Sequence, residues 1–144
     1  SERMRIDASG RVTMPNQPVF SAYRSGADVA DATVIVFNNT TANVGSNYNT
    51  ANGRFTASVT GNYFFSVFAM STANSSVFGL RLRLNGTPSG TTWAYNNESS
   101  GFHTVSMGFV IGLNATDYVE IMTQGGAMHG IANYHNNFCG YLIG

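Results

Sequence analysis

Charge is scarce in this sequence, and positive charge comes from one residue type alone. Only 10% of the 144 residues are charged, whereas an average domain has about 25%. There is no lysine, so all seven basic residues are arginines, and seven acidic residues bring the net charge to zero. A protein without a basic surface is poorly suited to a nucleic-acid backbone or an anionic membrane. We therefore expect neither partner.

The sequence also has only one cysteine and no long hydrophobic run. Cys139 is the only cysteine, which excludes a disulfide within the chain, so the fold is held by its core or by partners. No apolar run approaches the ~20 residues that a membrane-spanning helix needs, so the sequence predicts a soluble protein without membrane insertion. A length of 144 residues suffices for one domain with its own core.

Small and neutral polar residues take the place of charge. Asn, Gly, Ser and Thr account for 60 of the 144 residues, which predicts a hydrated, uncharged surface with many turns. From residue 18 onward, apolar residues alternate with polar ones and do not recur at helical spacing. In Phe78–Leu84, for example, the apolar side chains point one way and Arg81 and Arg83 the other.

This alternation predicts an all-β domain. The expected strands are residues 19–24, 33–37, 54–59, 63–70, 78–84, 105–111, 119–121 and 138–143. Several short strands separated by turn residues are typical of a sandwich or jelly roll.

The first 17 residues differ in composition from the rest. Five of the charged residues lie within residues 1–11, and Pro15 and Pro18 follow, so we place a domain boundary at residue 17 and assign 18–144 to the main domain. Asp7 can cap a turn and Gly10 can take a positive φ, which predicts a lead-in hairpin; the alternative is a disordered remnant of a fibre shaft. Because the first residue is Ser1 and not methionine, we expect the end of a longer protein; the alternative is a processed product.

Two of the predicted strands, residues 63–70 and 138–143, are apolar on both faces. Leaving Tyr141 and Ile143 in water would forgo about 1.5–3 kcal/mol each, and symmetric self-association is a common way to cover such a face. We therefore predict an oligomer whose interface includes Phe138, Tyr141 and Ile143. The alternative is that a long loop covers the last strand.

The spacing of the aromatic residues resembles that of a known family. The ordered positions are Phe37, Asn43, Tyr48, Phe55, Gly61, Tyr63 and Phe65. This pattern is similar to the signature of the globular head of complement C1q, except that Val67 stands where that family has another aromatic residue. Residues 138–142 resemble the family's closing Phe-x-Gly-x-Leu strand, and residues 19–24 resemble its opening strand.

The resemblance implies a ten-stranded jelly roll of the tumour-necrosis-factor type, assembled as a homotrimer, with the last strand in the middle of the inner sheet. It also implies that the matched residues are structural. Those expected in the core are Phe37, Tyr48, Phe55, Tyr63 and Phe65. Gly61 would sit where no side chain fits. The collagen-like Gly-X-Y repeats that often precede the head in animal members do not occur in this sequence.

The N-terminal segment resembles a different class of protein. Residues 2–10 are similar to a phrase common in phage tail-fibre and other virion fibre proteins, just ahead of a terminal knob. Together, the two resemblances predict a trimeric knob on a virion surface, or another extracellular protein, which attaches to a cell by binding a glycan or protein receptor. Fibre and capsid proteins would then be further partners. The alternatives are a purely structural fibre cap or capsid decoration, and a secreted lectin-like protein.

Two predicted loops, residues 91–97 and 129–137, combine aromatic rings with amides. This combination suits sugars, because rings stack on their apolar faces and amides bind their hydroxyls. The candidate ligand-binding residues are Trp93, Tyr95, Asn96, Asn97, His129, Tyr134 and His135. The alternative is that Trp93 and Tyr134 pack at a strand end or a subunit seam.

Catalysis finds little support in the sequence. There is no Gly-x-Ser-x-Gly nucleophile motif and no compact pair of acids. We therefore do not expect an enzyme, and we interpret Glu98, Asp117 and Glu120 as solvated charges.

Metal binding is a weaker possibility than ligand binding. His129 and His135 could together hold a transition metal, but their spacing is not diagnostic. Asp28 and Asp31 could contribute to a calcium site, as in some members of the resembled family, yet calcium takes about six to eight oxygens. We therefore expect no metal and no other cofactor.

Overall fold

The computed structural model describes residues 3–73, 77–98, 101–131 and 134–144. Glu2 of the fibre-like segment lies outside these residues, as do Ala132 and Asn133 of the second predicted loop. The described residues form twelve strands and no helix, so they contain no helix long and apolar enough to cross a membrane. The strands are β1 (Arg5–Ile6), β2 (Val12–Thr13), β3 (Val19–Tyr23), β4 (Asn39–Val44), β5 (Tyr48–Asn49), β6 (Arg54–Thr56), β7 (Gly61–Met70), β8 (Phe78–Leu84), β9 (Thr87–Asn96), β10 (Thr104–Leu113), β11 (Tyr118–Gln124) and β12 (Asn136–Leu142).

Ten of these strands form two five-stranded sheets with the hydrophobic core between them. The strand order is β10-β7-β12-β3-β4 in one sheet and β5-β6-β11-β8-β9 in the other. Neighbouring strands are antiparallel in both sheets, and the last strand, β12, lies in the middle of the first. The structure thus confirms the predicted all-β sandwich with ten strands.

The other two strands, β1 and β2, pair as a small hairpin. The Asp7 carboxylate accepts hydrogen bonds from the backbone N–H groups of Ser9 at 2.9 Å and Arg11 at 3.0 Å, and from Arg11 Nε at 2.7 Å. The hydrogen bonds that Arg11 donates lower the pKa of Asp7 below its usual value, and the bond from the Arg11 backbone has the largest effect. Gly10 takes a φ of +78°, where glycine is favoured. The boundary at residue 17 stays a prediction.

Strict alternation explains the two strands that are apolar on both faces. In β7, Tyr63 and Phe65 point into the core, whereas Phe64 points to the outer face. In β12, Phe138 is fully buried within the single chain, and Tyr141 on the opposite face is exposed. The prediction that Phe138 belongs to an oligomer interface is therefore wrong, because its ring already packs inside the sandwich.

Aromatic rings dominate the core. Phe20 lies 5.1 Å from Phe55 and 4.9 Å from Phe138, measured between ring centroids. The other buried aromatic residues include Phe37, Tyr48, Tyr63, Phe65 and Phe78. Gly61 borders this core, and a Cβ at that position would lie only 2.8 Å from Leu142 Cδ1. Close packing at Gly61 therefore leaves little room for a side chain.

Two strand predictions need correction. Residues 33–37 form a single bridge, Val34 to Met122, and not a strand, although Ile35 N–H donates to Ile121 O at 2.8 Å. Strands β4, β5 and β9 were not predicted; all three are edge strands, and β4 and β9 consist mostly of polar residues. An edge strand buries neither face fully, so its hydrophobic alternation is weak. The predicted loop over residues 91–97 is in fact mostly strand β9.

Candidate functional site

The two sheets differ sharply in charge. The strands of the first sheet contain no Asp, Glu, Lys or Arg, and we call it the uncharged sheet. The strands of the second contain Arg54, Arg81, Arg83 and Glu120, and we call it the arginine sheet. The outer faces of the two sheets therefore offer different chemistry to anything that binds them.

A row of large apolar side chains crosses the outer face of the uncharged sheet. Its members pair in register from strand to strand and are Val110, Phe64, Tyr141, Val19 and Val44. Within the single chain Val110 is 61% exposed and Tyr141 is 46% exposed, and the Phe64 and Tyr141 rings lie 5.5 Å apart. A continuous apolar row spanning a whole sheet is typical of a surface that a partner covers.

A second row, of small side chains, runs beside the first. Its members are Gly108, Ser66, Cys139, Ser21 and Ala42, again paired in register. Burial raises the pKa of the Cys139 thiol above its usual value, so this side chain stays neutral at physiological pH. Because the side chains of this row are small, the side chains of another surface can approach the sheet closely there.

At one end of the uncharged sheet lies a groove of about 440 Å³. It is lined by Tyr23, Thr41, Phe68, Tyr134, Asn136 and Asn137. Tyr134, a predicted ligand-binding residue, is thus placed beside the apolar face and away from Trp93 and Tyr95.

Trp93 and Tyr95 lie together on the outer face of the arginine sheet. They are two residues apart on β9, 49% and 61% exposed, with ring centroids 5.3 Å apart. The Arg81 guanidinium on β8 lies 5.8 Å from the Trp93 ring, within reach of a cation–π interaction. Arg81 Nε donates to Ser89 O at 2.7 Å, which fixes the orientation of the guanidinium plane.

Gly79 on β8 makes room for this aromatic pair. A Cβ on Gly79 would lie 2.9 Å from both Ala94 O and Tyr95 Cβ, and 3.1 Å from Trp93 Nε1. Because one of these atoms belongs to the backbone of β9, a side chain at Gly79 would push the two strands apart.

Replacing Gly79 with alanine is therefore expected to destabilise the fold by about 1–3 kcal/mol and to shift the environment of Trp93. Chemical unfolding measures the first effect. The fluorescence of Trp93, the only tryptophan in the chain, measures the second. Gly90→Ala on β9 is the matched control, since a Cβ there meets nothing within 4 Å. Equal effects of the two substitutions would contradict the proposed packing.

Glu120 sits beneath the outer face of the same sheet and is only 1% exposed. Its Oε2 pairs with Arg54 Nε at 2.9 Å, and its Oε1 pairs with Arg83 Nη1 at 3.0 Å. The hydrogen bond that Arg54 donates to the Glu120 carboxylate raises the pKa of Arg54 above its usual value. The interpretation of Glu120 as a solvated charge is thus wrong, because its carboxylate is buried and pairs with two arginines instead of with water.

The histidines lie at one end of the sandwich. His129 Nδ1 is 3.3 Å from Asp28 Oδ1, and the His129 and His135 rings are 5.4 Å apart. Tyr134 packs against His135 at 4.3 Å. Asp31 accepts a hydrogen bond from the next backbone N–H at 2.7 Å. Among the residues that the structure describes, no group of three or more His, Cys, Asp or Glu is placed to hold a metal ion.

The predicted ligand-binding residues thus fall into two groups. Trp93, Tyr95 and Asn96 belong to β9, with Asn97 just after it, whereas His129, Tyr134 and His135 precede β12. Ring contacts occur within each group, and none joins the two across the described ranges. Sequence reasoning missed Gly79 and placed Arg81 on an exposed strand face without including it among the candidate ligand-binding residues. The alternation of β8 placed both on the outer face, but only the pairing with β9 brings them to Trp93.

Comparison with known proteins gives consistent matches. The sequence profile of the C1q domain matches residues 19–143. A complement C1q subcomponent from mouse is 30% identical over 139 residues, which cover 93% of this chain and 53% of the mouse protein. The chain therefore spans about half the length of this curated relative.

Solved structures show the same fold at low identity. The globular domain of zebrafish complement 1qA has a TM-score of 0.73 at 24% identity, covering 89% of this chain and 98% of the zebrafish chain. Eiger TNF from S. frugiperda has a TM-score of 0.73 at 8% identity, with 90% and 94% covered. Murine APRIL has a TM-score of 0.72 at 11% identity, with 88% and 99% covered. The fold is thus the jelly roll shared by C1q and TNF-type proteins.

Proposed function

Because this chain belongs to the C1q domain family, we propose that it is a trimeric extracellular domain that attaches the protein carrying it to a cell-surface glycan. The contrast between the two sheets carries this proposal. One outer face is uncharged and apolar, and the other presents arginines and exposed aromatic rings. Burial between copies suits the first face, and ligand recognition suits the second.

In this proposal, the uncharged sheet of each copy faces the other two copies. Tyr141 in the apolar row and the nearby Ile143 are both exposed in the single chain, so both gain from being covered. The row of small side chains beside Tyr141 lets a neighbouring surface approach closely. The sequence resemblance implies a trimer, and three copies around an axis would leave each arginine sheet outside.

We further propose that the domain is the knob of a virion fibre. The similarity of residues 2–10 to segments that precede fibre knobs supports this setting, and the hairpin of β1 and β2 is a compact link to a shaft. A purely structural cap or capsid decoration would use the uncharged sheet but would have no need of the exposed Trp93–Tyr95 pair. A secreted lectin-like protein would use both faces in another setting. In each setting we propose binding and not catalysis.

Three sites on one rigid trimer would strengthen attachment. When several weak sites engage one cell, the overall avidity can exceed a single site's affinity by about 10²–10⁴-fold. Attachment should therefore depend on both the aromatic residues and the assembly.

Attachment is tested with the fluorescently labelled protein on cultured bacterial and animal cells, measured by flow cytometry. We expect saturable binding to at least one cell type and a loss of about tenfold or more on replacing Trp93 with alanine. Tyr134→Ala measures how much the histidine-containing loop contributes to cell binding. Val12→Ala in the hairpin is the control. Failure of the unmodified protein to bind any cell type would contradict the attachment role and favour the structural one.

A further inference from the structure

Resting on the proposed attachment function, we propose that Arg81, Trp93 and Tyr95 form a binding site for a carboxylate-bearing sugar. The sugar ring would lie against the two aromatic side chains, and its carboxylate would pair with the Arg81 guanidinium. The site then lies on the outer face of the arginine sheet and takes an acidic glycan.

The arginine sheet carries an excess of positive charge. Its strands hold three arginines and one carboxylate, Glu120, in a chain whose net charge is zero. Glu120 is shared between Arg54 and Arg83. No carboxylate among the described residues pairs with Arg81, which faces Met122 and Trp93 on the neighbouring strands. Positive charge is thus left over on this face, and Arg81 is the one of the three arginines that shares no carboxylate among the described residues.

The Arg81 guanidinium is held in an orientation that suits a carboxylate. Its Nε donates to Ser89 O at 2.7 Å, and its Nη1 lies 3.5 Å from Gln124 Oε1. The backbone carbonyl therefore holds one edge of the planar group, while the edge formed by the two terminal nitrogens has only that weak contact. Two parallel N–H donors on such an edge match the two oxygens of a carboxylate.

The aromatic pair beside Arg81 suits a sugar ring. The Trp93 and Tyr95 rings are inclined at 36° with centroids 5.3 Å apart, and both side chains are exposed, so a sugar ring can stack against either of them. Gly79 beneath them adds no side chain. Thr91 on the same strand is exposed and can bond to sugar hydroxyls. An apolar protein partner would need a larger apolar area, whereas here the rings are bordered by polar groups.

Trp93 makes the site directly observable, since it is the only tryptophan. We would titrate the intact protein with sialyllactose and with oligogalacturonate, and follow tryptophan fluorescence. Lactose and neutral galactose oligomers are the matched uncharged probes. We expect a saturable change with at least one acidic sugar, and binding of its neutral counterpart that is weaker by about tenfold or more.

Arg81→Gln is expected to weaken binding of the acidic sugar by about 10- to 100-fold. Arg11→Gln in the hairpin removes the same charge at a distance and should leave the affinity unchanged. Tyr95→Ala, at a largely exposed position, should weaken binding by about 2- to 10-fold, and it supplies an independent test if Arg81→Gln fails to fold.

Three results would overturn the inference: equal affinity for acidic and neutral sugars, no response to either acidic probe, or equal affinities of the Arg81→Gln and Arg11→Gln proteins. If these occurred while the protein still bound cells, the acidic-sugar site would be wrong and the attachment function would stand. Loss of cell binding as a whole would instead count against the attachment function.

Discussion

Replacing Tyr141 with glutamate is expected to convert the proposed trimer into folded monomers. Tyr141 lies at the centre of the apolar row, between Phe64 and Val19 on the neighbouring strands. In the proposed assembly, each of the three copies would bury a carboxylate among apolar side chains, on a sheet whose strands contain no arginine. Burying an unpaired charge costs several kcal/mol, so the association free energy falls in every copy.

The monomer itself should survive this change, since Tyr141 is part exposed in the single chain. Light scattering coupled to size exclusion reports the mass, and circular dichroism reports the fold. Val12→Glu places the same charge on the exposed hairpin strand and should leave the mass unchanged. A Tyr141→Glu protein that keeps the mass of the unmodified one would show that the uncharged sheet is not the assembly surface.

Replacing Glu120 with glutamine is expected to lower the free energy of unfolding by about 3 kcal/mol. Removing one member of a buried ion pair costs about 3–5 kcal/mol, because the other charge loses its partner. We expect the lower end because the Arg54 and Arg83 side chains are 41% and 27% exposed and can regain water. The neutral amide would leave the two guanidiniums close together without a counter-charge.

Denaturant unfolding at one fixed protein concentration measures this effect, since assembly also contributes to stability. Asp31→Asn is the matched control, because it makes the same chemical change at an exposed carboxylate. Its effect should stay within about 0.5 kcal/mol. If Glu120→Gln cost no more than Asp31→Asn, the buried network would not contribute to stability.

The local sequence pattern of alternating residues, aromatic spacing and turn residues was enough to predict most of the fold. Alternation in residues 78–84 predicts which side chains enter the core, because a strand places every second residue on one face. The spacing from Phe37 to Phe65 resembled the family that the profile match then showed. Asp7 and Gly10 also form their turn through contacts within a few residues, so sequence alone carries that information.

Features that depend on distant strands were not predictable in the same way. Glu120 looks solvated in sequence, and its partner Arg54 is 66 residues away. Phe138 could face either side until the register of β12 against β7 is known. The pairing of β9 with β8 contains a register shift between Arg81 and Arg83, and no local sequence pattern indicates this shift. The pairing of β8 with β9 then places Gly79, Arg81 and Trp93 together.

The native mass of the unmodified protein, measured by light scattering with and without a chelator, tests the central claim most directly. We propose that the uncharged sheet holds three copies together through apolar contacts. The expected mass is then about 46 kDa, three times the 15.4 kDa of one chain, with or without the chelator. A mass near 15.4 kDa would contradict the assembly and the multivalent attachment built on it, and a trimer lost only with chelator would contradict assembly by apolar contacts alone.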